Sequence, residues 1–166
     1  MSVLFKAVKD NNLNLLKQAL AENPDADDLA GALRNAAETG RNELVECLLD
    51  AGARNDWAIV AAASFAQVET VRLLYGRGGG QLNAALIGAA AHGRTETVRF
   101  LLTTPADSLD EALADAALRG YLEIAALLLE KGADPRAAVY GDQTARDLAL
   151  KNDRSEIIDL FRRHAV

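Results

Sequence analysis

The side chains able to do chemistry are few and scattered. His92 and His164 are the two histidines and Cys47 is the single cysteine, and they stand far apart in the 166-residue chain. A metal motif needs His, Cys or carboxylate ligands a few residues from one another, and no such spacing occurs here. The one set suited to acid–base work is His92 with Glu111 and Asp115, an imidazole and two carboxylates that can exchange a proton if the fold brings them together. Gly76-Arg77-Gly78-Gly79-Gly80 superficially suggests a phosphate-cradling loop. It follows a helical pattern rather than a strand and lacks the Lys-Ser/Thr ending of such loops, so a helix cap and turn is expected. Cys47, beside Leu48 in an apolar run, reads as a small buried hydrophobe, and Tyr75 reads as core. We expect no catalytic residue, no metal and no cofactor.

Charge and hydropathy narrow the classes further. Acidic residues outnumber basic ones 24 to 18, for a net charge of −6. Phosphate backbones demand a concentrated basic surface, and Arg162, Arg163 and His164 are too few to make one, so nucleic acid is not an expected partner. The longest apolar stretch, Ala84–Ala91, falls well short of the ~18 residues that span a bilayer. Lys6 interrupts the first residues before any apolar run develops, so no signal peptide is expected. A lone cysteine builds no disulfide framework, which suits a reducing, cytoplasmic setting.

These residues are carried by a repeat that runs along the chain. Its pattern is an Ala pair, a short polar stretch, a Glu and then a Leu-rich run: Ala36-Ala37 to Glu43 and Leu44-Val45, Ala62-Ala63 to Glu69 and Val71, Ala89-Ala90 to Glu96 and Val98, Ala116-Ala117 to Glu123 and Ile124. Looser copies begin at Ala7 and Ala149, so six units start at positions 7, 36, 62, 89, 116 and 149. Each unit predicts two short helices, the first Ala-rich and suited to tight stacking, the second with one apolar face. The shared Glu falls in the first turn of the second helix, where a carboxylate complements the helix dipole. Gly52, Gly78 and Gly132 stand where a left-handed helix cap belongs, and Asp28 and Asp56 read as N-caps. Neither helix buries its apolar face alone, so neighbouring units must stack into an α-solenoid. Polar residues in the first and last units (Lys6, Lys9, Asn11, Lys151, Asp153) give both ends a wet face, and a monomer complete in itself is expected.

This pattern resembles the ankyrin repeat. Gly132-Ala133-Asp134-Pro135 followed by Thr144-Ala145-Arg146-Asp147-Leu148-Ala149 looks like that family's junction between repeats, and Gly40, Gly93 and Gly120 match its inter-helix turn. A tetratricopeptide array is the alternative, disfavoured by the spacing, the short helices and the Gly-Ala caps. The departures are specific. Gly52 to Trp57 and Gly78 to Ala84 are too short for the family's projecting hairpin, the Pro of its Thr-Pro-Leu-His motif is absent, and Arg146 replaces the Leu. The fold expected is therefore all-α, an ankyrin-like α-solenoid of about six helix-turn-helix repeats, with at most one full β-hairpin finger before the last. It forms a single domain over 1–166, with units at roughly 1–26, 27–54, 55–80, 81–106, 107–136 and 137–166.

The resemblance implies that a partner protein binds the concave surface. With hairpins trimmed, first-helix positions at i, i+4 and i+8 should carry contact. These include Asn35 and Thr39 in the second unit, Trp57, Ala61 and Phe65 in the third, Gly88 and His92 in the fourth, and Glu111, Asp115 and Arg119 in the fifth. Trp57 and Phe65 are the natural anchors, beside small residues and an acidic wall at Glu111 and Asp115. The competing reading of the aromatics is that they fill space left by the missing hairpins. The competing function is a small-molecule or enzymatic site around His92, Glu111 and Asp115.

Overall fold

The computed structural model describes residues 2–164, which hold twelve α-helices and one two-stranded sheet. Packing divides the chain after Gln81 into two compact units.

The first unit contains α1 (Val3–Lys9), α2 (Leu13–Ala21), α3 (Ala26–Glu38), α4 (Asn42–Asp50), α5 (Ala58–Ser64) and α6 (Val68–Gly76). Helices α1 and α2, α3 and α4, and α5 and α6 pack as pairs. Across the pairs α1, α3 and α5 form one layer and α2, α4 and α6 a second. The layers meet on Leu16, Leu33, Leu44, Leu48 and Ile59, all shut off from solvent. Ala36, Ala37, Ala62 and Ala63 are fully buried, because a methyl group is the largest side chain that lets first helices approach so closely.

The second unit repeats this arrangement with α7 (Leu82–Ala91), α8 (Thr95–Leu101), α9 (Leu109–Arg119), α10 (Leu122–Glu130), α11 (Ala145–Lys151) and α12 (Ser155–His164). One layer holds α7, α9 and α11 and the other α8, α10 and α12, around Leu86, Leu101, Leu113, Leu128 and Ile157. Between α10 and α11 lies the single finger among the described residues: β1 (Ala138–Tyr140) runs antiparallel to β2 (Gln143–Thr144), with Tyr140 opposite Gln143. The short links at 52–57 and 77–81 form turns without strands, as their length requires.

One backbone feature recurs in all six helix pairs. Asn11, Gly40, Ala66, Gly93, Gly120 and Asp153, each just after a first helix, have φ between 50° and 86°. Within each unit the residue after such a turn can lie over the turn of the repeat before it: Gln67 over Gly40 in the first, Tyr121 over Gly93 and Arg154 over Gly120 in the second. Arg154 also donates from Nε to the Leu118 carbonyl at 3.1 Å.

Capping chemistry follows the helix ends, with two corrections. The cap of α3 is Asp25, whose carboxylate accepts from the Asp28 amide at 2.7 Å, so Asp28 lies in the first turn. Helix α5 starts after Trp57, and Asn55 rather than Asp56 makes the local bond, accepting from the Trp57 amide at 2.9 Å. Helices α4, α6, α8 and α10 have no side-chain cap, and each carries a first-turn glutamate (Glu43, Glu69, Glu96, Glu123) to meet the exposed amide dipoles. Helix α11 has a reciprocal capping box between Thr144 and Asp147, and these bonds hold the Asp147 carboxyl below its ordinary range.

Two core assignments are also corrected. Tyr75 is 39% exposed, because the last turn of the short helix α6 carries it beyond the layer that buries Leu74. Cys47 is half-buried rather than enclosed; desolvation still raises its thiol pKa, with Lys17 opposing and Asp50 adding. No helix among the described residues is long and apolar enough to cross a membrane.

Candidate functional site

In the first unit, the side chain of Asn55 fixes the backbone of Trp57, the first of two exposed aromatics. The Asn55 side-chain amide donates to the Ala30 carbonyl of α3 at 2.9 Å while its oxygen accepts from the Trp57 amide, so the link is fastened at both ends. Trp57 then occupies the cap position before α5 and Phe65 the cap position after it. They are 58% and 53% exposed, with half-buried Ala61 between them in sequence. On the neighbouring α3, Asn35 and Thr39 are exposed, and the Thr39 hydroxyl donates to the Asn35 carbonyl at 2.8 Å. Gly31, on the same face of α3, is covered by the Phe5 ring. This surface offers apolar area and hydrogen-bonding groups, and no nucleophile beside a base.

The second unit builds a different surface. Asp115, half-buried on α9, accepts from the Tyr140 hydroxyl at 2.7 Å and faces the Arg119 guanidinium at 3.5 Å. The Tyr140 phenol is pushed well above its ordinary pKa. Burial is the largest cause, followed by the bond to Asp115 and the Asp115 and Glu111 charges, with Arg119 opposing. His92, exposed at the end of α7, places Nδ1 2.8 Å from the Gly88 carbonyl of its own helix. The structure thus ties Asp115 to the finger through Tyr140 and pairs it with Arg119 one turn along α9, with Glu111 close enough for its charge to act. The imidazole is bonded locally.

Similar bonds pin the links elsewhere. Asn83 and Asp107 exchange two hydrogen bonds, at 2.6 and 2.9 Å, and Asp110 accepts from the Asp134 amide at 2.7 Å. Each fastens the segment entering one repeat to the first helix of the repeat before. No group of three or more His, Cys, Asp or Glu side chains among the described residues is arranged to hold a metal ion.

Tyr140 is the residue that the helical-face pattern misses, since a finger residue obeys no i, i+4 spacing. Its signal was an aromatic beside Gly141-Asp142 in the one junction long enough for a hairpin. No curated protein matches the chain. Residues 59–139 match the family model for ankyrin repeats, in three copies, over the stretch that begins in α5 and ends in β1. Within that stretch the helix pairs, with their Ala-rich first helices and left-handed inter-helix turns, match ankyrin repeats.

Proposed function

We propose that the protein is a monomeric binding module of a reducing compartment that acts on a partner protein by occupancy alone, without catalysing a reaction. Ankyrin repeats are generally protein–protein interaction modules, which supports the class. In the first unit the contacts are Asn35, Thr39, Trp57, Ala61 and Phe65. In the second they are Gly88, His92, Glu111, Asp115 and Arg119, with Tyr140 added by the finger.

The observation that carries this reading is the exposure of Trp57 and Phe65, 58% and 53%, on one seven-residue helix and its caps. Leaving two large aromatics in water forgoes their burial, and such side chains dominate interface energies when a partner covers them. Packed helix pairs hold them in place beforehand, which limits the entropy lost on association.

The test is a pull-down from cell lysate with the wild-type chain beside Trp57→Ala/Phe65→Ala, after circular dichroism shows equal helicity. Both side chains are exposed, so the double variant should unfold within about 0.5 kcal/mol of wild type. A protein retained by wild type and bound at least about tenfold more weakly by the variant is the expected result. Equal retention by both removes the aromatic pair from the site, and no retained protein on repeated trials overturns the module reading.

A further inference from the structure

A hollow of about 230 Å³ lies between the turn that leads into the finger and the last helix pair, lined by Pro135, Arg136, Arg146, Ile158, Phe161 and Arg162. Every charged side chain in that lining is an arginine. The backbone beneath two of them is fixed: the Asp134 amide donates to Asp110, the Arg136 amide to Asp134 at 2.8 Å, and the Arg146 amide to the Pro135 carbonyl at 3.1 Å. Arg162 is paired with Asp159 at 2.9 Å, whereas Arg136 and Arg146 form no ion pair among the described residues. Phe161 is 4% exposed and Ile158 half-buried, so with Pro135 they make an apolar floor between guanidinium walls.

We propose that this hollow docks an acidic segment of a partner protein. One bulky apolar side chain of the segment rests on Pro135, Ile158 and Phe161, and flanking carboxylates meet Arg136 and Arg146. The chemistry selects this occupant. A guanidinium takes a carboxylate through two parallel hydrogen bonds, a geometry suited to Asp and Glu side chains. A bare inorganic anion leaves the apolar floor uncovered. A nucleic acid brings a long run of phosphates to a chain of net charge −6, where only this small patch attracts it. A short peptide uses the local charge without meeting the rest. The inference uses none of the first-helix contact residues and stands whether or not that surface binds anything.

The experiment is fluorescence anisotropy with an amidated, fluorescein-labelled peptide Asp-Glu-Leu-Glu-Asp on the full chain. Saturable binding that weakens with salt is expected. It should fall about tenfold or more in Arg136→Gln/Arg146→Gln, and likewise when the probe's carboxylates become amides or its Leu becomes Ser. Trp57→Ala/Phe65→Ala should bind the probe as wild type does, which separates this site from the first-helix surface. Melting temperatures equal to wild type show that the arginine variant is folded. The proposal is overturned by absence of probe binding, or by equal binding to the folded arginine variant. It is also overturned if inorganic phosphate or single-stranded RNA binds the hollow more tightly than the peptide does. Self-association that the arginine variant abolishes would assign the hollow to a second copy of this chain and overturn it too.

Discussion

The Tyr140 hydroxyl donates to Asp115 Oδ2 at 2.7 Å, tying the tip of the one finger to the first helix of the repeat before it. Because burial and the carboxylate raise the phenol pKa in the folded chain, the folded state holds its proton at pH values where the unfolded chain, at about 10, has lost it. This stabilisation is fully present below about pH 10 and is lost as pH rises through the folded value. An alkaline titration followed by tyrosinate absorbance should show one of the three tyrosines ionising late. Tyr140→Phe should remove that phase, and a late phase that survives the substitution assigns it elsewhere.

Ala66 stands at φ 64°, in the turn position that Gly40, Gly93 and Gly120 fill in other repeats. A Cβ in that left-handed region is strained by about 1 kcal/mol or more. Ala66→Gly should therefore raise stability by about 1 kcal/mol, a gain of roughly 2–4 °C in melting temperature. A lower melting temperature would show that chain entropy outweighs the relieved strain.

Two glycines with positive φ should respond unequally to alanine. At Gly93 (φ 70°) the added Cβ falls 2.9 Å from the Tyr121 ring, while at Gly132 (φ 100°) nothing lies within 4 Å. Gly132→Ala meets only the backbone strain, about 1 kcal/mol, and Gly93→Ala should lose about 1 kcal/mol more to crowding. Denaturant melts of Gly93→Ala with and without Tyr121→Ala check the source, since removing the ring should return the difference.

Thr70 and Thr97 occupy equivalent buried positions with opposite satisfaction. Thr70 Oγ1 donates to Asn42 Oδ1 at 2.6 Å, whereas Thr97 Oγ1 is buried without a partner among the described residues. Thr97→Val removes an unpaired hydroxyl and should be neutral or stabilising by up to about 1 kcal/mol. Thr70→Val deprives Asn42 of its donor and should lose about 1 kcal/mol. Equal melting shifts for the two would sink this account.

The periodicity of Ala pairs, glutamates and Leu runs placed every helix pair, because each unit buries its apolar faces in the same way. The length of the Gly132 to Thr144 junction located the finger for an equally simple reason. Single positions were less legible. Alanine at 66 gives no sign of a left-handed turn, which shows only when the repeats are aligned by backbone rather than by side chain. Asp25 and Asp28 are both good caps by residue type, and the choice between them depends on where Pro24 lets the helix begin. At the candidate surfaces, the helical face singled out Trp57 and Phe65 but left contact and space-filling packing both open until their exposure was seen, whereas Tyr140 arrives through a turn. The arginines around Phe161 come from two helices and a turn, and no linear spacing records their meeting.

Trp57 is the only tryptophan, and Asn55 anchors its backbone while its indole remains mostly in water. Its emission in the native chain should already lie close to that of a solvated indole, so unfolding has little wavelength left to shift. Anything that settles on α5 and displaces that water moves the emission to the blue. The chain thus carries its own optical gauge of occupancy, one that stays nearly silent when the fold melts and responds when the surface is covered.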